Sequence, residues 1–258
     1  MLNYMKSEWY RIVHTKEIYV VTGALAGLTL LMNLVLFLSN RELENFRYGT
    51  VSFSLSFLIS GMSVLMIAAA GMAIMLFAGD WRYGILKNAV AEGISREKIF
   101  LGKCVIGTIV SICSMVVVLT VYIGSAYLLL DAGSVDGTLP IVVKGVMSTL
   151  LVSIASFIFT IVLSSYFEKE YMTLLGWTIV MNLIPSILNL VGRKISILKR
   201  IASWMPNVYL KDEVFANMKG WQCLWETPEG FAKCLISGIL GIVIFLTIGI
   251  VLCRKKDM

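Results

Sequence analysis

Long apolar runs separated by short polar connections dominate the chain. A helix needs about 20 apolar residues to cross the hydrocarbon of a bilayer. Reading with that window predicts six spans: Ile18–Leu38, Phe53–Ala78, Leu101–Leu130, Ile141–Phe167, Tyr171–Val191 and Ala232–Cys253. The third and fourth are longer than needed, so we expect them to tilt or to extend beyond the bilayer. The pattern predicts an all-α integral membrane protein with six transmembrane helices and a single transmembrane domain over residues 1–258.

The fifth span is the least regular, because Asn182, Pro185 and Asn189 interrupt its apolar run. Pro and Asn are tolerated at that depth where neighbouring helices or water satisfy the backbone and the amides. Together with Asn33 in the first span, these residues are candidates for a polar translocation path. Interhelical hydrogen bonding is the alternative use of such amides.

Two stretches outside the spans also have helical patterns. In residues 1–17 one helical face carries the apolar side chains Leu2, Met5, Trp9, Ile12 and Val13. Charged residues fall mainly on the rest of that helix, namely Lys6, Glu8, Arg11 and Lys16. This pattern predicts an amphipathic helix in the cytoplasmic interface. Residues 192–231 are too apolar for a water-exposed loop, and we expect an extracellular loop with short apolar helices at the membrane surface.

The distribution of Lys and Arg predicts the orientation. Basic residues cluster before the first span, in the connection 80–102 and at the C-terminus, whereas the connection 131–139 has none. The positive-inside rule therefore places both termini in the cytoplasm of a multi-pass protein of the plasma membrane. The basic residues of 192–231 oppose this orientation, but the length of that loop weakens their effect.

Composition agrees with a membrane protein and argues against nucleic-acid binding. Hydrophobic residues make up 58% of the chain and charged residues 15%, against about 45–50% and about 25% in soluble domains. The mean hydropathy is +0.85. The net charge of +6 is expected to contact anionic lipid headgroups, since no basic patch with exposed aromatics suggests nucleic acid.

Residue types needed for catalysis or metal binding are scarce. The only histidine is His14, which precedes the first span, and the five cysteines have no metal-binding spacing. We therefore expect no catalytic residues, no metal site and no enzyme activity in this chain. An ATP-independent channel or secondary transporter is the alternative function, although the intramembrane carboxylates that usually couple ions are absent from the predicted spans.

The segment from Asp80 to Lys103 is the most informative part of the sequence. Residues 85–91 are predicted to form a short helix, Gly93 suits a left-handed position after it, and Ser95 can cap the helix that follows. This cytoplasmic loop, residues 80–100, is thus expected to be a structured element fixed between two spans. Such an element can press on a partner and move the second and third spans.

This segment resembles the corresponding loop of type-2 permeases of ABC exporters. The resemblance rests on Asp80, Gly84-Ile85-Leu86, Ser95-Arg96 and Gly102-Lys103, and on the six-span architecture. It implies a loop that couples the permease to an ATPase, and the residues expected to take part are Asp80, Arg82, Gly84, Ile85, Leu86, Lys87, Gly93, Ser95, Arg96, Gly102 and Lys103. Ile85 departs from the Thr that is usual in the family.

The resemblance also implies partners and a class of cargo. Two permeases, identical or paralogous, would form the path, and two copies of a separate ATPase subunit would bind ATP and magnesium. The chain has no Walker A loop of its own, because Cys104 follows Gly102-Lys103 where Ser or Thr is required. Small permeases of this kind resemble those of lantibiotic- and bacitracin-immunity systems, so the expected cargo is an antimicrobial peptide, a drug or another amphipathic molecule.

Overall fold

The computed structural model describes residues 2–42, 48–82, 89–131, 138–167, 169–212, 214–217 and 220–255. The fold is all-α apart from one small hairpin. The principal helices are α1 Leu2–His14, α2 Lys16–Glu42, α3 Val51–Ser60, α4 Ser63–Arg82, α5 Arg96–Leu129, α6 Thr138–Tyr166, α7 Glu170–Thr178, α8 Ile184–Gly192, α9 Ser196–Ala202, α10 Pro206–Asp212 and α11 Pro228–Lys255.

Within these described ranges, length and composition identify five continuous helices and one bent pair that can cross a membrane. The continuous spans are 16–42, 96–129, 138–166, 170–192 and 228–254, and the bent pair is α3 with α4. The six spans predicted from the sequence are therefore present. The predicted second span is not straight, because α3 and α4 meet at 65°. Gly61 ends α3, and its N–H donates to the Phe57 carbonyl over 2.9 Å.

The fifth span is continuous despite its polar residues. A π-helical turn, Ile179–Leu183, joins α7 to α8. Pro185 lies two residues after the end of this turn and has no backbone N–H to donate. The wider turn accommodates the proline without ending the helix, and such π turns are frequent at functional sites.

Helix α6 lies at the centre of the bundle and packs along α4 and α11. Close contact with α11 depends on a small residue, because a Cβ at Gly238 would lie 2.5 Å from the Leu151 Cβ. Buried hydroxyls of α6, such as those of Ser148 and Thr160, hydrogen-bond to carbonyls of their own helix. Small residues that allow backbones to approach are the usual basis of helix packing in membranes.

The segment between α8 and α11 folds against the bundle. It contains α9, α10, the strands β1 Val214–Asn217 and β2 Gly220–Cys223, and a short 3₁₀ helix Leu224–Glu226. The antiparallel strands pair with Val214 opposite Cys223. The side chains of Tyr209, Leu210 and Trp225 enter the core. Short helices were expected here, but the hairpin was not.

Candidate functional site

Three buried charged side chains and one partly exposed arginine form a cluster where α1, α4 and α5 meet. Glu8 and Arg11 come from α1, Asp80 from the last turn of α4, and Lys103 from the second turn of α5. Arg11 bridges the two acids: its Nη1 is 2.6 Å from Asp80 Oδ1 and its Nη2 is 2.8 Å from Glu8 Oε2. The cluster joins three elements that are far apart in the sequence.

Lys103 completes the cluster from the opposite side. Its ammonium hydrogen-bonds Asp80 Oδ2 and lies 3.3 Å from Glu8 Oε1. The same nitrogen is 4.7 Å from the centroid of the Phe77 ring, close enough for a cation–π contact. The Lys103 side chain is only 1% exposed, so these partners replace its hydration almost entirely.

The spacing along each helix explains how the cluster assembles. Glu8 and Arg11 are three residues apart on α1, and Phe77 and Asp80 are three apart on α4, so each pair shares one helical face. Two acids and two bases give the cluster no net charge. Buried charges are tolerated when they are paired and hydrogen-bonded, and the loss of one partner leaves a charge uncompensated.

Protonation states in α1 follow from these contacts. Burial alone would raise the pKa of the Glu8 carboxyl, but Lys103, Arg11 and a hydrogen bond from Tyr4 outweigh it and hold the pKa below its ordinary value. Burial and the charge of Glu8 raise the pKa of Tyr4, which therefore remains a donor to Glu8 Oε1 over 2.6 Å. Glu8 is therefore ionised at neutral pH, and Tyr4 is protonated.

A glycine beside Lys103 brings α1 close to α5. A Cβ at Gly102 would lie 2.8 Å from Cε1 of Tyr4, which is too close for any other residue without movement of the ring. Asp80, Gly102 and Lys103, three residues of the predicted coupling motif, therefore meet at one place. Gly102 allows the approach of α1 and Lys103 supplies the charge.

The remaining residues of the predicted coupling loop lie between Asp80 and Gly102 in the sequence. Arg82 is the last residue of α4, and Arg96 is the first residue of α5. Ser95 occupies the N-cap position, but its side chain makes no capping hydrogen bond. Gly84, Ile85, Leu86 and Lys87 lie outside the described residues.

The end of the loop has the geometry of a helix C-terminus. Gly93 has a φ of 84°, the left-handed conformation that favours glycine. Its N–H donates to the Val90 carbonyl over 2.9 Å, and the N–H of Ile94 donates to the Ala89 carbonyl over 3.2 Å. This pair of bonds is the Schellman motif. It closes the helical residues 89–91 and turns the chain toward α5.

A second charge pair holds the C-terminal helix to the same region. Nε of Arg254, near the end of α11, donates to Oε1 of Glu97 in the first turn of α5 over 2.6 Å. This pair is exposed, so it contributes little to stability. The pair places the end of α11 beside the start of α5, and the charge cluster brings the end of α4 and the helix α1 to the same end of the bundle.

Of the four candidate path residues, Asn33 lies on α2 and the other three lie on the fifth span. Asn33 is fully buried in a hydrogen-bonded network, with its Nδ2 2.7 Å from Ser125 Oγ and its Oδ1 accepting from Ser54 Oγ over 2.6 Å. This is the interhelical use of an amide that was the alternative to path lining. Asn182 lies in the π turn, Pro185 is buried beside it, and Asn189 lines a cleft near the other end of the span.

Sequence reasoning missed the role of α1. The burial of Glu8 was not predicted from the sequence, and the residue is only 7% exposed. Two signals pointed to the cluster. Lys103 lies within a long apolar helix, and a lysine there requires a partner. The spacing of Glu8 and Arg11 offers a matching pair of charges on one face.

The comparisons with known proteins agree with this architecture. A family model described as "ABC-2 family transporter protein" matches residues 4–186, a range that includes all four charged residues of the cluster. No curated protein and no solved structure matches the chain. The family match covers most of the sequence, and the chain therefore belongs to the ABC-2 family of membrane transport proteins.

Proposed function

We propose that this chain is the permease subunit of an ATP-driven exporter and that it couples to a separate ATPase through residues 80–100. Two ATPase subunits would dock on the loops of two permeases, identical or paralogous, in a plasma membrane. ATP and magnesium would be bound by the ATPase, and both termini of this chain would lie in the cytoplasm beside it. The family membership supports the transport role, and the charge cluster supports the route of coupling.

The observation that carries the proposal is that the cluster fixes both ends of the loop to each other and to α1. Asp80 is the first residue of the loop, Lys103 follows its end, and their side chains are hydrogen-bonded. A force that the ATPase applies to the loop would therefore move α4 and α5 together. Through Arg11 the same force would reach α1.

An apolar cavity supports an amphipathic cargo. It lies between α2, α4, α5 and α6, and its lining includes Leu65, Met72, Met115, Ser153 and Phe157. The Ser153 hydroxyl is buried there and has no hydrogen-bond partner among the described residues. The mostly apolar wall is compatible with the apolar part of the expected cargo, an antimicrobial peptide, a drug or another amphipathic molecule.

The first test is whether an adjacent reading frame encodes a Walker A-containing ATPase, and the second is reconstitution of that ATPase with this chain. Both subunits are purified together and placed in lipid nanodiscs, and ATP hydrolysis is measured with and without the permease. We expect the permease to copurify with the ATPase and to alter its rate. Arg96→Glu should reduce this effect while the permease still inserts. Lys144→Glu, an equal charge change on the exposed surface of α6, should not.

The alternative function has a distinct outcome. If the purified chain binds no ATPase and moves ions or solute in liposomes without ATP, it is a channel or a secondary transporter, and the exporter proposal is wrong.

A further inference from the structure

A polar cleft lies at the far end of the fifth span, between α8 and α10. Its polar lining consists of Ser186, Asn189, Arg193, Asn207 and Lys211. Because successive spans run in opposite directions, this end of α8 lies on the side of the bundle opposite to the charge cluster. The cleft is thus separate from the proposed coupling site.

The cleft is positively charged. Arg193 and Lys211 are exposed, and neither forms an ion pair within the part of the chain that the structure describes. No described carboxylate lines the cleft. Two cations on one small concave surface repel each other unless an anion lies between them.

Amide groups add neutral donors to the two cations. Asn207 is only 5% exposed, and its Nδ2 lies 3.5 Å from the Asn182 carbonyl. That distance is longer than a normal N–H···O bond. An amide nitrogen carries two hydrogens, so Asn207 keeps donor capacity for a ligand in the cleft.

The cleft is also held in place by packing. Tyr209 and Leu210 lie between Asn207 and Lys211 on α10 and are buried in the core of the bundle. The π turn of the fifth span contributes the Asn182 carbonyl to the same corner. The fold therefore fixes the backbone positions from which Arg193 and Lys211 reach the cleft.

We propose that this cleft binds the anionic oxygens of a phosphate group. Arg193 can pair with two phosphate oxygens at once, Lys211 supplies a point charge, and Asn207 donates a hydrogen bond. The end of a span is the depth at which lipid phosphates lie. The phosphate can belong to a lipid headgroup or be free in solution, and the two sources are separated by experiment.

The experiment uses the full chain purified in a neutral detergent and stripped of lipid. The probes are a short-chain phosphatidylglycerol, the matching phosphatidylcholine, and sodium phosphate against sodium chloride at equal ionic strength. Binding is measured by native mass spectrometry for the lipids and by the shift in Tm for phosphate. The variants are R193Q, K211Q and the double variant. The control is the double variant K194Q/R200Q, which removes one lysine and one arginine from exposed positions outside the cleft.

We expect the double cleft variant to weaken binding of phosphatidylglycerol by about tenfold or more, since it removes two charge-assisted contacts. The control should change binding by less than about twofold. If phosphate raises the Tm of the wild type and phosphatidylglycerol does not bind, the cleft is a site for the free ion. If phosphatidylglycerol binds and phosphate leaves the Tm unchanged, the cleft is a headgroup site. Equal weakening by the cleft and control variants, or no binding of either anionic probe, would overturn the proposal.

Discussion

Replacement of Lys103 by methionine tests the charge cluster most directly. Methionine keeps most of the length and apolar contact of the lysine stem but removes the ammonium. Glu8 and Asp80 then share a single cation, Arg11, and the cluster carries a buried charge of −1. Removing one partner of a buried ion pair costs about 3–5 kcal/mol, which corresponds to a change of roughly 100- to 4,000-fold in the folding equilibrium.

The assay is reversible unfolding in mixed micelles as the fraction of denaturing detergent rises, followed by circular dichroism. The matched control is Lys98→Met on the same helix, where the lysine is exposed. The control should shift the free energy of unfolding by no more than about 0.5 kcal/mol.

A double-mutant cycle separates the pairing from general effects of the substitution. Combining Lys103→Met with Glu8→Gln restores a neutral cluster of Arg11 and Asp80. The double variant should be more stable than the sum of the two single effects predicts, by about 0.5–3 kcal/mol. The cluster has no energetic role if Lys103→Met costs less than about 1 kcal/mol, or if the two substitutions are additive.

Three further predictions concern stability in the same assay. Asn33→Leu should cost about 1–2 kcal/mol, because it removes an intramembrane hydrogen-bond network; an unchanged free energy of unfolding would refute that role. Gly102→Ala should cost about 1–3 kcal/mol because the new methyl overlaps Tyr4, whereas Gly124→Ala on the same helix, with no neighbour within 4 Å, should be neutral or stabilising. The pKa of Glu8 is lowered in the folded protein, so its stabilisation is complete above its unfolded pKa of about 4.3 and is lost as pH falls further. Glu8→Gln should flatten that acid limb, and an unchanged pH profile would contradict the assignment.

The spans were predictable because their signal is local. Twenty consecutive apolar residues indicate a membrane helix whatever their neighbours, and the six predicted segments are all helical in the structure. The bend at Gly61 was not predictable, since the hydropathy of the second span continues across it. A break of this kind depends on how α3 and α4 pack against the rest of the bundle.

The candidate site was only partly predictable, because part of it depends on packing between segments that are distant in the sequence. Asp80 and Lys103 stood out because a motif contains both. Glu8 and Arg11 belong to no motif, and the amphipathic pattern of α1 assigned Glu8 to the polar face. Which side of an amphipathic helix meets the protein is decided by a partner that can match its charges, and that partner lies two spans later in the chain.

The buried cluster has a consequence for biosynthesis. Glu8 and Arg11 leave the ribosome first, Asp80 follows after two spans, and Lys103 emerges only as the third span begins. Until that lysine is in place, the N-terminal helix and the second span together hold two acids against one base. The contacts of Lys103 with Glu8 and Asp80 can form only after the third span has been made, so the N-terminal helix cannot complete its charge contacts before then.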